Sequence, residues 1–164
     1  MVAHMSDPHL HSNQGDIMNL NDTFKPTGEL EIVVRGPDGN IKEIRKAKNL
    51  VVTAGKTYIA SRMVGTSSGI MSHMAIGTGT ATPGAADTTL GTEAGRVTLA
   101  SGSNSSNAIT YTATFPAGTG TGAITEAAVL NASSSGTMLC RTTFPVVNKA
   151  AGDTIAVTWV VTVS

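Results

Sequence analysis

The stretch Thr154–Val163, TIAVTWVVTV, decides the fold because two kinds of side chain alternate along it. A β-strand places every second side chain on the same face, so one face here is large and apolar and the other is small or polar. A strand this long and this apolar is expected inside a sheet, where it completes the core. Its apolar face consists of Ile155, Val157, Trp159, Val161 and Val163.

Shorter stretches of the same kind precede it, separated by segments rich in Gly, Ser, Thr and Pro. Seven or eight short strands at this spacing predict an all-β fold, a two-sheet antiparallel sandwich of jelly-roll or immunoglobulin-like type. The Ser-rich runs 101–106 and 133–135 are predicted as loops. The other predicted strands are Glu29–Arg35, Ile41–Lys46, Met71–Ile76, Gly95–Ala100, Ala108–Phe115, Ala123–Leu130 and Met138–Phe144.

One segment has a helical pattern. Between Thr53 and Gly65, apolar and long side chains recur at helical spacing, as at Tyr58, Ile59 and Met63. Thr53 is predicted to cap the first turn and Gly65 to terminate the last. The sequence therefore predicts one short helix in an otherwise β protein.

Residues 1–28 are predicted to form an extended N-terminal arm, ahead of a sandwich domain at 29–164. The apolar residues of the arm follow no steady period, so the segment cannot bury enough of itself to offset its ordering entropy. We expect a neighbouring copy or another protein to hold it. The candidate contact residues of the arm are Leu10, Ile17, Met18, Leu20 and Phe24.

Composition limits the function classes. The chain has 11 basic and 11 acidic residues, and only 13% of its residues are charged, so nothing favours nucleic acid as a partner. No apolar run approaches the roughly 20 residues of a membrane span, and the N-terminus has no signal-peptide pattern. We therefore expect no membrane partner and synthesis in a reducing cytoplasm, where Cys140 is a small buried apolar residue. The basic cluster at residues 42–48, interleaved with Glu43, is interpreted as a solvated strand face.

Residues suited to catalysis or to metal binding are sparse. His73 has no His, Cys or carboxylate partner at ligand spacing, and the pair His9 and His11 lies on the arm without a scaffold. The Gly-rich segment at 77–80 lacks the Lys and the following helix of a phosphate-binding loop. We therefore predict no enzyme activity, no catalytic residues, no cofactor and no metal. Two structural ion pairs are predicted instead, Glu93 with Arg96 and Glu126 with Arg141.

An ordered series of phrases resembles a type of small β-sandwich protein found in the virions of tailed bacteriophages. The resemblance covers roughly residues 28–164, and each phrase is specific only as part of the series. The phrases are Lys48–Lys56, Met74–Thr80, Leu90–Glu93 with Arg96, Ile124–Leu130, Arg141–Lys149 and Gly152–Trp159.

The resemblance implies a structural role and transfers no catalytic residues. It implies a capsid cement or decoration protein on the virion surface, made in the host bacterial cytoplasm, which binds the major capsid protein and copies of itself, for example as a trimer. A tail, connector or head-fibre component is the structural alternative. A carbohydrate-binding module is a third hypothesis, but it needs exposed aromatic side chains, and Trp159 lies in the closing strand while the tyrosines are only Tyr58 and Tyr111.

Overall fold

The computed structural model describes residues 24–66 and 69–164, and within them it contains ten strands and one helix. All strand pairs are antiparallel. The elements are β1 Thr27–Arg35, β2 Ile41–Lys48, β3 Leu50–Val51, α1 Thr53–Met63, β4 His73–Gly77, β5 Glu93–Thr98, β6 Ser101–Ser105, β7 Ala108–Phe115, β8 Gly122–Leu130, β9 Met138–Lys149 and β10 Thr154–Thr162.

The strands form two five-stranded sheets, which confirms the predicted all-β sandwich. The first sheet has the order β2-β1-β10-β7-β6 and the second the order β3-β9-β8-β4-β5. The closing strand β10 lies at the centre of the first sheet, between β1 and β7. Its predicted apolar face is the buried one, and Trp159 and Ile155 have no exposed surface. The main core thus fills the space between the two sheets, where each sheet contributes alternate side chains.

The second sheet is covered on its outer face as well, which the alternation of side chains did not predict. Seven consecutive residues, Ile124–Leu130 of β8, are buried, and the apolar ones among them enter two different clusters. Ile124, Ala127 and Val129 belong to the main core. The smaller outer cluster consists of Val52, Ala75, Leu90, Ala128, Leu130 and Met138. Leu90 reaches this cluster from the loop 78–92, which joins β4 to β5 and is called the β4–β5 loop below.

The predicted helix is confirmed as α1, but its predicted N-cap is wrong. Thr53 is the first helical residue, Val52 occupies the cap position, and no side chain caps the first turn. The N–H of Thr53 instead donates to the carbonyl oxygen of Ala85 in the β4–β5 loop, at 2.8 Å. Gly55 lets the helix approach β9, because a Cβ atom there would lie 2.0 Å from the carbonyl oxygen of Leu139. Gly65 follows the helix with a φ of 70°, as predicted for its terminator.

The prediction of a loop at 101–106 is wrong, since Ser101–Ser105 form β6 at the edge of the first sheet. Ser and Gly have low strand propensity, so pairing with the strongly β-prone β7 overrides the local signal. The other Ser-rich run, 133–135, is a turn as predicted. The strand β7 spans Ala108–Phe115 as predicted, whereas β9 continues through Pro145 to Lys149.

Candidate functional site: a buried charge network and two surfaces

The predicted ion pair of Glu126 and Arg141 lies under the β4–β5 loop and is almost fully buried. The Glu126 side chain is 0% exposed and that of Arg141 is 4% exposed. They lie diagonally across the adjacent strands β8 and β9, because Glu126 is paired with Thr143 and Arg141 with Ala128. The Arg141 guanidinium donates from Nη2 and Nε to Glu126 Oε2, at 2.8 and 3.2 Å. This confirms the pairing that the sequence suggested.

The Glu126 carboxylate also holds both ends of the β4–β5 loop. Its Oε1 accepts hydrogen bonds from the backbone N–H groups of Gly79, at 2.9 Å, and Thr92, at 2.8 Å, while Oε2 accepts one from Gly91, at 2.9 Å. A further bond joins the two ends directly, from the N–H of Thr78 to the carbonyl of Thr92. One side chain therefore closes a surface loop at its base.

Arg141 extends the network to the middle of the same loop. Its Nη2 donates to the carbonyl oxygen of Ala81, at 3.1 Å, and its Nη1 bonds the carboxylate of Asp87. Asp87 accepts a second bond from the N–H of Gly84, at 2.9 Å. Asp87 has no signal in the sequence for this contact, because 54 positions separate it from Arg141 and no spacing rule links them.

Glycine is required where the loop passes over the carboxylate. A Cβ atom on Gly79 would lie 2.5 Å from Glu126 Oε1, and one on Gly77 would lie 2.3 Å from the carbonyl oxygen of Thr92. Contacts this short force atoms to move. The Gly-rich segment at 77–80 therefore serves close packing over a buried carboxylate.

The network keeps its charges. Burial acts to raise the pKa of Glu126, but the N–H groups of Thr92 and Gly91 and the guanidinium of Arg141 outweigh it, and the pKa is lowered. The pKa of Asp87 is also lowered, mainly by the N–H of Gly84 and then by Arg141. A buried carboxylate with five N–H donors and a lowered pKa is a poor general base near neutral pH. The arrangement fixes the shape of the loop.

The second predicted ion pair, Glu93 with Arg96, lies at the start of β5, and the Arg96 side chain is only 11% exposed. The two side chains form a double contact, with Arg96 Nε and Nη2 donating at 3.0 and 2.6 Å. Glu93 is 36% exposed in this pair. Arg96 also donates to the carbonyl oxygens of Ala132 and Ser135, so it holds the turn that follows β8. This pair is confirmed as well.

Other candidate residues occupy structural positions. His73 contacts the hydroxyl of Ser72, at 2.8 Å. Within 24–66 and 69–164, no three His, Cys, Asp or Glu side chains lie close enough together to hold a metal ion. Cys140 is fully buried, as predicted, and burial raises the pKa of its thiol.

In the basic cluster of β2, Lys46 pairs with Glu31 of β1, at 3.0 Å, on an exposed face. Lys42 pairs with Asp153, a contact that the sequence did not predict.

A second surface lies at the opposite edge of the first sheet from β2. An apolar groove of about 450 Å³ runs between α1 and the inner face of β6 and β7. Exposed apolar side chains continue it at the end of the helix, with Met63 84% exposed and Ile70 66% exposed. Exposed apolar patches of this kind mark protein contact sites. The main apolar lining consists of Tyr58, Ile59, Ile70, Met71, Ile109 and Tyr111.

Of the predicted arm contacts, only Phe24 falls within the described residues, and it is 47% exposed. Leu10, Ile17, Met18 and Leu20, like the His9 and His11 pair, lie outside them. Lys25 donates its N–H to the carbonyl oxygen of Ser164, so the chain enters the sandwich beside its C-terminal strand.

Comparison with known proteins identifies no relative: no family model, no curated protein and no solved structure matches the chain. The resemblance to virion proteins therefore has no support from these comparisons and stays a prediction. Across the part of the chain that the structure describes, no helix is both long and apolar enough to cross a membrane.

Proposed function

We propose that the protein is a non-catalytic structural component of a larger protein assembly, and specifically a cement protein that binds the major capsid protein shell of a tailed bacteriophage. The observation that carries the proposal is the β4–β5 loop, a surface loop whose shape is fixed by a buried charge network and whose one charged residue, Asp87, is paired with Arg141. The phage setting comes from the sequence resemblance alone. The arm remains a predicted second contact.

The fixed loop is suited to binding a protein surface. Its outward residues are small and uncharged, and Thr80, Thr82 and Thr88 are all exposed. Because Glu126 and Arg141 already order the loop in the free protein, little entropy is lost on binding. Many copies on a repeating shell then add modest contacts into firm attachment.

Co-sedimentation tests the proposal, with capsids that lack the protein and, separately, with tails. We expect saturable binding of the wild type to capsids. Thr82→Arg places a long charged side chain on the loop, and we expect it to weaken that binding by at least about tenfold. Thr158→Arg is the matched control, because Thr158 is equally exposed but lies on the outer face of the first sheet. It is expected to bind as the wild type does.

Two outcomes contradict the cement proposal. Binding to tails alone favours the tail, connector or head-fibre alternative. Binding to neither particle, or equal binding by both arginine variants, removes the β4–β5 loop as the contact surface.

A further inference from the structure

The edge strand β6 is open in a way that the other three sheet edges are not. Natural sheets protect their edges with charges, bulges, short strands or covering side chains. The opposite edge, β2, carries five charged side chains and a register shift against β1. The edge β3 has two residues, and the edge β5 carries the charged residues Glu93 and Arg96 and a register shift against β4.

None of these devices is present on β6. Its sequence, SGSNS, has no charge and no proline, and all five residues are exposed. Among the described strands it pairs with β7 alone, so one row of backbone N–H and C=O groups is free to bind another strand.

The apolar groove adjoins this free edge on the inner face of the sheet. Gly102 and Asn104 of β6 face Tyr111 and Ile109 across the ladder, and all four line the groove. Gly102 lies next to the Tyr111 ring, because a Cβ atom there would be only 3.3 Å from it. Since glycine has no side chain, it leaves the ring uncovered. A strand added beside β6 would therefore bond the edge with its backbone and place every second side chain in the groove.

The segment Met18–Asn21 of the arm has the alternation that such a strand requires. Its sequence is MNLN, so Met18 and Leu20 fall on one face of a strand and Asn19 and Asn21 on the other. The apolar face suits a groove lined by Ile and Tyr, and the amide face suits solvent. Like β6, the segment Met18–Asn21 contains no charged residue.

The exit point of the chain indicates which molecule supplies this segment. Lys25 is bonded to Ser164 next to β10, and β1 is separated from the β6 edge by β10 and β7. A strand added beside β6 would lie four strand spacings, about 19 Å, from β1. The four residues from Phe24 back to Leu20 span about 14 Å when fully extended. Within one molecule, Leu20 therefore stops about one strand spacing short of the added strand, and Met18 and Leu20 cannot both lie along it.

We propose that Met18–Asn21 of one copy adds a strand to the β6 edge of a second copy, with Met18 and Leu20 in the groove. Each copy then gives one arm and accepts one, an exchange that forms a closed ring when the rotation between copies closes and an open filament when it does not. The inference rests on the proposed function only in taking the arm to be a binding segment, and it assigns that segment a partner, another copy of this chain.

The test uses the full chain alone, without capsids, so that it fails independently of the capsid proposal. Sedimentation equilibrium over a micromolar range gives the mass, and hydrogen exchange reports on the Ser101–Ser105 amides. We expect a reversible oligomer with slowly exchanging β6 amides. Met18→Asp with Leu20→Asp should weaken association by at least about tenfold and speed that exchange. Asn19→Asp with Asn21→Asp adds the same charge on the other face and should do neither.

A second matched pair tests the groove. Ile70→Asp should weaken association, whereas Ile44→Asp, an equally drastic change at an exposed site on β2, should not. Four results would overturn the proposal: a monomeric wild type with fast β6 exchange, a monomer whose β6 is protected by its own arm, equal effects of the two arm variants, or equal effects of Ile70→Asp and Ile44→Asp. Melting curves confirm that each variant is folded.

Discussion

The β4–β5 loop and the β6 edge are made of the same kinds of residue, yet buried side chains hold the loop in place while one side of β6 has no neighbouring strand among the described residues. Both are rich in Gly, Ser, Thr or Asn, and the one charged residue between them, Asp87 of the loop, is paired with Arg141. The loop is held from beneath by Glu126 and Arg141, whereas the outer backbone of β6 meets no strand of the described residues. Composition therefore does not decide whether a polar surface segment is held in place or left open to a partner. The buried side chains beneath it decide.

The largest effect should come from removing the carboxylate beneath the loop. Glu126→Ala leaves Arg141 buried without its main partner and frees three backbone N–H groups, so we expect a loss of about 3–5 kcal/mol in the free energy of unfolding. Glu31→Ala removes the same residue type from an exposed ion pair, the one with Lys46, and should cost less than about 1 kcal/mol. Urea denaturation of both variants measures the difference. Equal losses would show that burial of the charge is not what matters.

A methyl group at the point of closest approach should have the next largest effect. Gly79→Ala puts a Cβ atom against the Glu126 carboxylate, and we expect a loss of about 1–3 kcal/mol, as for other overpacked sites. Gly84→Ala is the control in the same loop, because its Cβ atom would have 3.4 Å to its nearest neighbour. Thermal melts of the pair separate crowding at Glu126 from a general need for glycine. A control that melts as low as Gly79→Ala would refute the crowding argument.

Lowering the pH should weaken the hydrogen bonds through which the Glu126 carboxylate holds the β4–β5 loop. The pKa of Glu126 is lower in the folded protein than the value of about 4.3 expected for an unfolded chain. The stability that follows is present above that value and is lost as the pH falls through the folded-state pKa. We expect the free energy of unfolding to fall between about pH 5 and pH 3, and to fall less in Glu126→Gln. Parallel slopes for the two proteins would contradict this assignment.

The smallest effect should come from the open edge. Ser103 lies in the middle of β6 and is exposed, so Ser103→Ala should change the free energy of unfolding of the separated subunit by no more than about 0.5 kcal/mol. Denaturation at a concentration where the protein is monomeric measures it. A loss comparable to that of Gly79→Ala would mean that β6 is held by contacts within the subunit.

The sequence was enough to predict what depends on neighbours along the chain. Alternation revealed the strands of the core and the burial of Trp159, and the few charges in a neutral chain suggested the pairing of Glu126 with Arg141. It did not reveal Asp87 or the cover over the second sheet, since both depend on a loop folding back over distant strands. It missed β6 because the pairing with β7 outweighs the turn-like composition of SGSNS.

The central claim is that the Glu126 carboxylate holds the β4–β5 loop in a fixed shape. Hydrogen exchange of the backbone amides tests it most directly. Three backbone amides donate to Glu126, those of Gly79, Gly91 and Thr92. In the wild type, we expect them to exchange more slowly than is usual for amides of a surface loop. In Glu126→Gln they should exchange markedly faster, while the amide of Thr119, bonded to the carbonyl of Pro116 in another loop, should not change. Unchanged exchange at the three loop amides would contradict the account.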